Sequence, residues 1–127
     1  MVDQLAMLGF QLDRVETRDG SEVYRLDTPF LLDNEFTFDI FVEWKDGELH
    51  LFDEGMTWHS IVAMGFRLND ENFNRYRDFM QKNGVTVGDD AVASLSGLQT
   101  EAQDLVARYL TACVLLDKNA RKMFTYV

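Results

Sequence analysis

Four residues in the first half of the chain have the types and the spacing that a metal-dependent nuclease uses. Glu43-Trp44-Lys45 matches the Glu-x-Lys element of such enzymes, and Asp27 and Asp39 precede it. This chemistry needs carboxylates that converge on Mg²⁺ and a lysine near the attacking water. Alternate positions of one strand put Glu43 and Lys45 on the same face. A divalent-metal-dependent nuclease or phosphodiesterase built on these residues is therefore the alternative function.

Two features weigh against that interpretation. Glu-x-Lys is common by chance, and Lys45 falls where Asp46-Gly47 is expected to turn the chain. The many acids around these residues would also repel a polyanionic substrate. We therefore expect a non-enzymatic protein, with no catalytic residue, no bound metal and no cofactor.

A second cluster, Asp53, Glu54 and His59, has side chains that could bind a divalent metal at a strand-to-helix turn. The same acids are typical turn residues, and carboxylates just before a helix are favoured by the helix dipole. Because no other ligand-type residue lies near His59 in the sequence, we interpret the cluster as a turn. Cys113 falls on the apolar stripe of a helix, which predicts a small core residue rather than a nucleophile.

The charge is concentrated in the first half of the chain. The protein has 127 residues and a net charge of −10, from 22 acids and 12 bases. Residues 1–60 hold fourteen acids and four bases, and residues 27–54 alone hold nine acids against Lys45. Nucleic-acid binding requires a surface that neutralises phosphate, and this composition opposes it. Direct nucleic-acid binding and binding to anionic membranes are therefore not expected.

These acids predict a docking surface for a protein with a basic surface, because complementary charge accelerates association. Phe41 is predicted to lie among them on the polar face of its strand, either as a binding hot spot or beneath a covering helix. The predicted protein-binding residues are Asp33, Glu35, Asp39, Phe41, Glu43, Asp46, Glu48, Asp53 and Glu54. The oligomeric state is left open.

The elements that position these residues follow from periodicity. Residues 36–44 alternate between apolar and polar side chains, which predicts a half-buried strand. Asp46-Gly47 is a tight-turn sequence, so residues 36–53 are predicted to form a β-hairpin. Residues 22–28 and 10–17 predict two further strands, and the first half is expected to be an antiparallel meander.

After Gly55 the apolar period becomes helical. Thr57 is the expected N-cap of a short helix, Asn69 or Asp70 that of a second, and a third spans about 98–118. We predict a single α+β domain over residues 1–127, an antiparallel meander of three to five strands followed by helices packed on one face. Its β-rich acidic half covers about 10–55, its helical half about 56–118, and a short C-terminal tail 119–127.

Short motifs in this order resemble a bacterial and phage-associated family, domain of unknown function 1828. They are Asp27-Thr-Pro-Phe30, the strand at 38–42, Leu51-Phe-Asp-Glu-Gly55 with the helix after it, and Asn83-Gly84-Val85. The resemblance spans about residues 22–117. It implies the fold and a phage or mobile-element context, and it supplies no activity.

The N-terminal sequence has neither a basic stretch nor a long apolar segment, so we expect a cytoplasmic protein. Together these features predict a small acidic interaction module encoded by a phage or mobile element. It would act on a protein with a basic surface, for example by presenting carboxylates in place of DNA phosphates to a nucleic-acid-binding or defence protein, in the manner of anti-CRISPR DNA mimics.

Overall fold

The computed structural model describes residues 11–15, 17, 21–27 and 39–127. Its strands are β1 (Gln11–Val15), β2 (Val23–Asp27), β3 (Ile40–Lys45), β4 (Glu48–Phe52), β5 (Thr86–Val87) and β6 (Ala93–Leu98). Its α-helices are α1 (Met56–Ala63), α2 (Asp70–Lys82) and α3 (Ala102–Met123), the last preceded by a 3-10 turn at Gln99–Glu101. The predicted α+β class is confirmed.

The six strands form one antiparallel sheet in the order β1-β2-β3-β4-β6-β5. Strands β1 to β4 are the predicted meander. The sheet has more than the expected three to five strands because two segments after α2 extend it, with β6 pairing with β4 and the short β5 pairing with β6. Helices α1 and α2 together connect β4 to β5.

The β3–β4 hairpin turns at the predicted residues. Asp46 has a φ of 53° and Gly47 a φ of 78°, the left-handed values that a two-residue hairpin turn of the primed type needs. Burial alternates along β3, where Ile40 and Val42 are buried and Phe41 and Glu43 are partly exposed. The predicted half-buried strand is thus confirmed from residue 40 onward, and residues 36–38 lie outside the described residues.

The helix boundaries follow partly from predicted caps. The Asn69 side chain accepts a hydrogen bond from the Asn72 amide at 2.8 Å, so Asn69 is the N-cap of α2 as expected. Helix α1 differs, since it starts at Met56 after Gly55 and its predicted cap, Thr57, is buried inside the first turn. Asp53, which precedes the helix, accepts a hydrogen bond from the Thr57 amide and so caps the first turn.

The core lies between one face of the sheet and the helices. Val42, Leu49 and Leu51 of the sheet are fully buried in the same apolar cluster as Leu105 and Tyr109 of α3. The helices therefore pack on one sheet face, as predicted. Cys113 belongs to this cluster and is 2% exposed, so its prediction as a core residue is confirmed.

The C-terminal segment is part of the packed structure. Helix α3 continues to Met123, five residues past the predicted end. Beyond it, Phe124 is buried, and residue 126 forms an antiparallel bridge with Phe66. The Asn72 side chain bonds the backbone of Thr125 through both its amide nitrogen and its oxygen. Residues 119–127, which the sequence predicted as a tail, therefore form the end of α3 and a segment that packs against the rest of the protein.

Candidate interaction site

The predicted acidic residues lie along the sheet and its turns. Asp39 and Glu43 are partly exposed, whereas Asp46 at the hairpin tip and Glu48 and Glu54 are exposed. Two further predicted residues, 33 and 35, lie outside the described residues. Because β3 alternates, Glu43 projects from the sheet face opposite the helices.

That outer sheet face carries both signs of charge. Arg25 forms an ion pair with Asp13 at 3.5 Å, and His50 Nε2 lies 3.6 Å from the Glu48 carboxylate. Lys45 is the register partner of Glu48. The described part of this face is therefore mixed rather than uniformly anionic, and exposed pairs of this kind add little stability.

The outer face also contains an aromatic pair. The rings of Phe41 and Phe52 are stacked with centroids 5.6 Å apart, and the two residues are register partners on β3 and β4. Phe41 was predicted as a binding hot spot or as a covered residue. It packs against Phe52 and stays partly exposed. Next to this pair, the His50 ring nitrogen Nδ1 and Ser96 Oγ lie 2.6 Å apart across β4 and β6.

Asp53 is a correction to the predicted docking surface, because it is fully buried. Its Oδ1 accepts hydrogen bonds from the amides of Gly55 at 2.9 Å and Ala93 at 2.8 Å, and its Oδ2 accepts one from the Thr57 amide at 3.1 Å. A carboxylate held by three backbone N–H groups cannot meet a partner. The role of Asp53 is to join the end of β4 to β6 and to start α1.

The charge of Asp53 also affects its buried neighbours. Burial, and then the nearby Asp53 carboxylate, raises the pKa of the Cys113 thiol far above its usual range. The same two causes, in the same order, raise the pKa of the Tyr76 and Tyr109 hydroxyls. These three groups are therefore neutral at physiological pH, which makes Cys113 a poor nucleophile.

The strand geometry spreads out the residues predicted for a nuclease. An extended chain rises about 3.3 Å per residue, so the α-carbons of Asp39 and Glu43 are about 13 Å apart and those of Asp39 and Lys45 about 20 Å. One metal ion cannot contact both acids at that separation. The Asp27 side chain lies outside what the structure describes. In the described ranges no three side chains of metal-ligand type come together.

A groove lies on the helical side of the molecule, at the end where β4 leads into α1. It has two adjoining parts, of about 570 and 320 Å³, which share Trp58, Leu68, Asp90 and Ala91. Three segments form its walls: residues 54–62 with the start of α1, residues 68–73 with the start of α2, and residues 89–91 between β5 and β6. We call it the Trp58 groove.

Trp58 forms an aromatic wall of the groove, and two aromatic side chains of α2 support its ring. The Trp58 ring stacks on Tyr76 with centroids 5.7 Å apart, and it meets Phe73 edge-on at 5.3 Å. Tyr76 is fully buried, so the indole rests on the core. Beside it, Leu68 is 72% exposed and Met56 37% exposed. The groove therefore presents apolar surface to solvent on a fixed support.

The groove is edged by four carboxylates, from Glu54, Asp70, Asp89 and Asp90. Among the described residues that line it, none is a lysine or an arginine. Arg77 reaches Asp89 from α2 at 3.1 Å while its guanidinium lies over the Phe73 ring. Asp89 is thus the acid of the four that has a cationic partner among the described residues, and the edge of the groove is anionic.

Unusual backbone conformations shape two walls of the groove. Glu54 and Gly55 have φ values of 55° and 84°, and Ala91 has a φ of 67°. A β-carbon at position 55 would sit 3.8 Å from the Asp90 carbonyl oxygen, at ordinary van der Waals distance, so the two turns are neighbours. Left-handed backbone at residues with side chains is costly and occurs where the surrounding structure enforces it.

Sequence reasoning missed this groove, apart from Glu54. The aromatic residues of α1 and α2 have ordinary core spacing, and Asp89-Asp90 has ordinary turn composition. The sequence feature that could have indicated the groove is a pair of acidic turns. Asp53-Glu54 precedes α1 and Asp89-Asp90 follows α2, and these two helices carry the aromatic residues. His59 lines the larger part of the groove, away from any metal-type cluster in the described chain.

Comparison of the chain with protein-family models, with curated proteins and with solved structures found no match. The family resemblance described above therefore stays a prediction. No helix in the described part of the chain is long and apolar enough to cross a membrane.

Proposed function

We propose that this protein is a non-enzymatic interaction module that binds a partner protein through the partner's basic surface. The observation that carries the proposal is the Trp58 groove. It combines exposed apolar side chains with four carboxylates and no lining lysine or arginine among the described residues. Exposed apolar surface edged by charge is typical of protein-binding sites, and a single sign of charge selects the partner's sign.

The acids of the sheet extend the same proposal. Asp46 and Glu48 at the β3–β4 hairpin, with Glu54, add exposed carboxylates that would steer a basic partner toward the molecule. Charge mimicry of DNA toward a nucleic-acid-binding or defence protein, an origin in a phage or mobile element, and a cytoplasmic location belong to this proposal. The acidic composition supports the charge mimicry, and the family resemblance supports the phage or mobile-element origin.

A selection from a displayed library of random dodecapeptides tests the proposed function. We expect the immobilised protein to enrich peptides rich in Lys and Arg, with binding that weakens strongly between about 0.05 M and 0.5 M salt because of screening. The matched control is the protein with Glu54→Lys and Asp90→Lys, which should enrich few of the same peptides. Enrichment of neutral or acidic peptides, or of no peptides at all, would overturn the proposal, whereas equal enrichment of basic peptides by the control would move the binding from the groove to another acidic surface.

A further inference from the structure

Resting on that proposed function, we infer that the Trp58 groove binds a short peptide segment with one large apolar side chain between two basic residues. The apolar side chain would lie against Trp58 and Leu68, and the basic residues would lie over the two ends of the groove. The occupant is thus a linear segment of a partner protein, and it is recognised by an apolar anchor with Lys or Arg on each side.

The two parts of the groove set the position of the anchor. Both parts are lined by Trp58 and Leu68, so the apolar contact lies where they adjoin. Leu68 is 72% exposed although it follows a buried aromatic residue, Phe66, by two positions. Covering this side chain and the indole with an apolar group removes both from water, which is the main favourable term in such docking.

The acids set the positions of the cations. Glu54 lines only the larger part of the groove and Asp70 only the smaller part, while Asp90 lines both. Carboxylates therefore lie on both sides of the apolar contact. A segment with a cation on one side alone would leave one acid without a counter-charge, whereas cations on both sides complement the whole groove.

The rigidity of the groove explains why a short segment suffices. Trp58 is stacked on the fully buried Tyr76, and the Gly55 amide in the Glu54–Gly55 turn donates a hydrogen bond to the buried Asp53 carboxylate. A site whose walls are already fixed loses little conformational entropy on binding. The peptide itself then needs only a few contacts.

Chemical-shift mapping on the ¹⁵N-labelled full chain tests this inference. The probe is an acetylated, amidated heptapeptide with one phenylalanine between glycines and two lysines at each end. We expect saturable shifts at the Gly55, Leu68 and Ala91 amides and at the Trp58 indole. A probe with alanine in place of phenylalanine should bind about tenfold more weakly, because it loses the apolar contact.

Two protein variants complete the test. Leu68→Ser changes an exposed side chain and should weaken binding of the phenylalanine probe about tenfold, while Leu98→Ser, an exposed leucine on β6 that does not line the groove, should leave it unchanged. Binding that shifts Phe41 and His50 instead, or that ignores Leu68→Ser, would overturn the groove and leave the proposed function standing. No saturable shift at millimolar probe would also overturn the groove, and the proposed function fails with it only if the display selection yields no basic peptides.

Discussion

Asp53 and Ala93 form a reciprocal pair in which a side chain replaces a backbone carbonyl. The Asp53 amide donates to the Ala93 carbonyl at 3.1 Å, and the Ala93 amide donates to Asp53 Oδ1 at 2.8 Å. The pairing of β4 with β6 thus continues past Phe52 although the chain has begun to turn. Because the same carboxylate accepts hydrogen bonds from the Gly55 and Thr57 amides, one buried residue fixes both the end of the β4–β6 pairing and the groove wall.

Asp53→Asn should lower the free energy of unfolding by about 2–3 kcal/mol. Asparagine has one acceptor oxygen where the structure uses two, and its amide N–H groups would face a backbone donor in a buried site. Urea unfolding measures the change. Glu54→Gln is the matched control next in sequence, and this exposed change should stay within about 0.5 kcal/mol. Equal effects of the two variants would contradict the structural role of Asp53.

Cys113 should make stability fall at alkaline pH. Burial and the Asp53 charge raise the thiol pKa in the folded state, so the unfolded chain loses its proton first. The contribution is fully present below about pH 8.5 and declines as pH rises above it. Between pH 7.5 and 9.5 the wild type should lose about 1 kcal/mol more than Cys113→Ala in urea unfolding. The same pH dependence in both proteins would refute this.

Ala91→Gly should stabilise the protein by up to about 1 kcal/mol. Its φ of 67° is strained for alanine and free for glycine. The control is Ala107→Gly, the same substitution at an exposed position within α3, which should cost about 1 kcal/mol through helix propensity. In thermal unfolding, the midpoint temperature should rise for Ala91→Gly and fall for Ala107→Gly relative to the wild type. A loss of stability at both positions would show that the turn at Ala91 carries no such strain.

Asn72→Ala should destabilise the protein by about 2–3 kcal/mol. The side chain is fully buried and donates to the Arg67 and Thr125 carbonyl oxygens, both at 3.0 Å, so its loss leaves backbone groups without a partner. Asn74→Ala, two residues along α2 and exposed, should change stability by less than about 0.5 kcal/mol. Faster hydrogen exchange at Thr125 in the first variant only would locate the effect in the C-terminal segment.

Ile40→Ala should cost about 2–5 kcal/mol, because Ile40 is 1% exposed within the apolar cluster and its truncation leaves a cavity. Lys45→Ala, on the same strand and exposed, is the control and should cost less than about 0.5 kcal/mol. Guanidinium unfolding separates the two. Small and equal losses would mean that β3 is not buried on one face.

Local sequence determined those parts of the fold that depend on neighbours in the chain. The alternation around Val42 and the Asp46-Gly47 turn predicted the hairpin, since strand period and left-handed turn residues act over a few positions. Asn69 predicted the start of α2 because an N-cap bonds an amide three residues later. The helical spacing of the apolar residues around Cys113 likewise predicted a core position, because this spacing also acts over a few residues of the chain.

Tertiary structure alone decided which distant residues meet. Asp53 and Glu54 are adjacent acids with the same turn propensity, yet one is fully buried and the other exposed, because the Ala93 amide, forty residues away, lies beside the first. The groove likewise joins Trp58, Leu68 and Asp90 from three segments. The long-range hydrogen bonds that pair β6 with β4 bring these residues together. A local pattern of residue types does not specify such bonds.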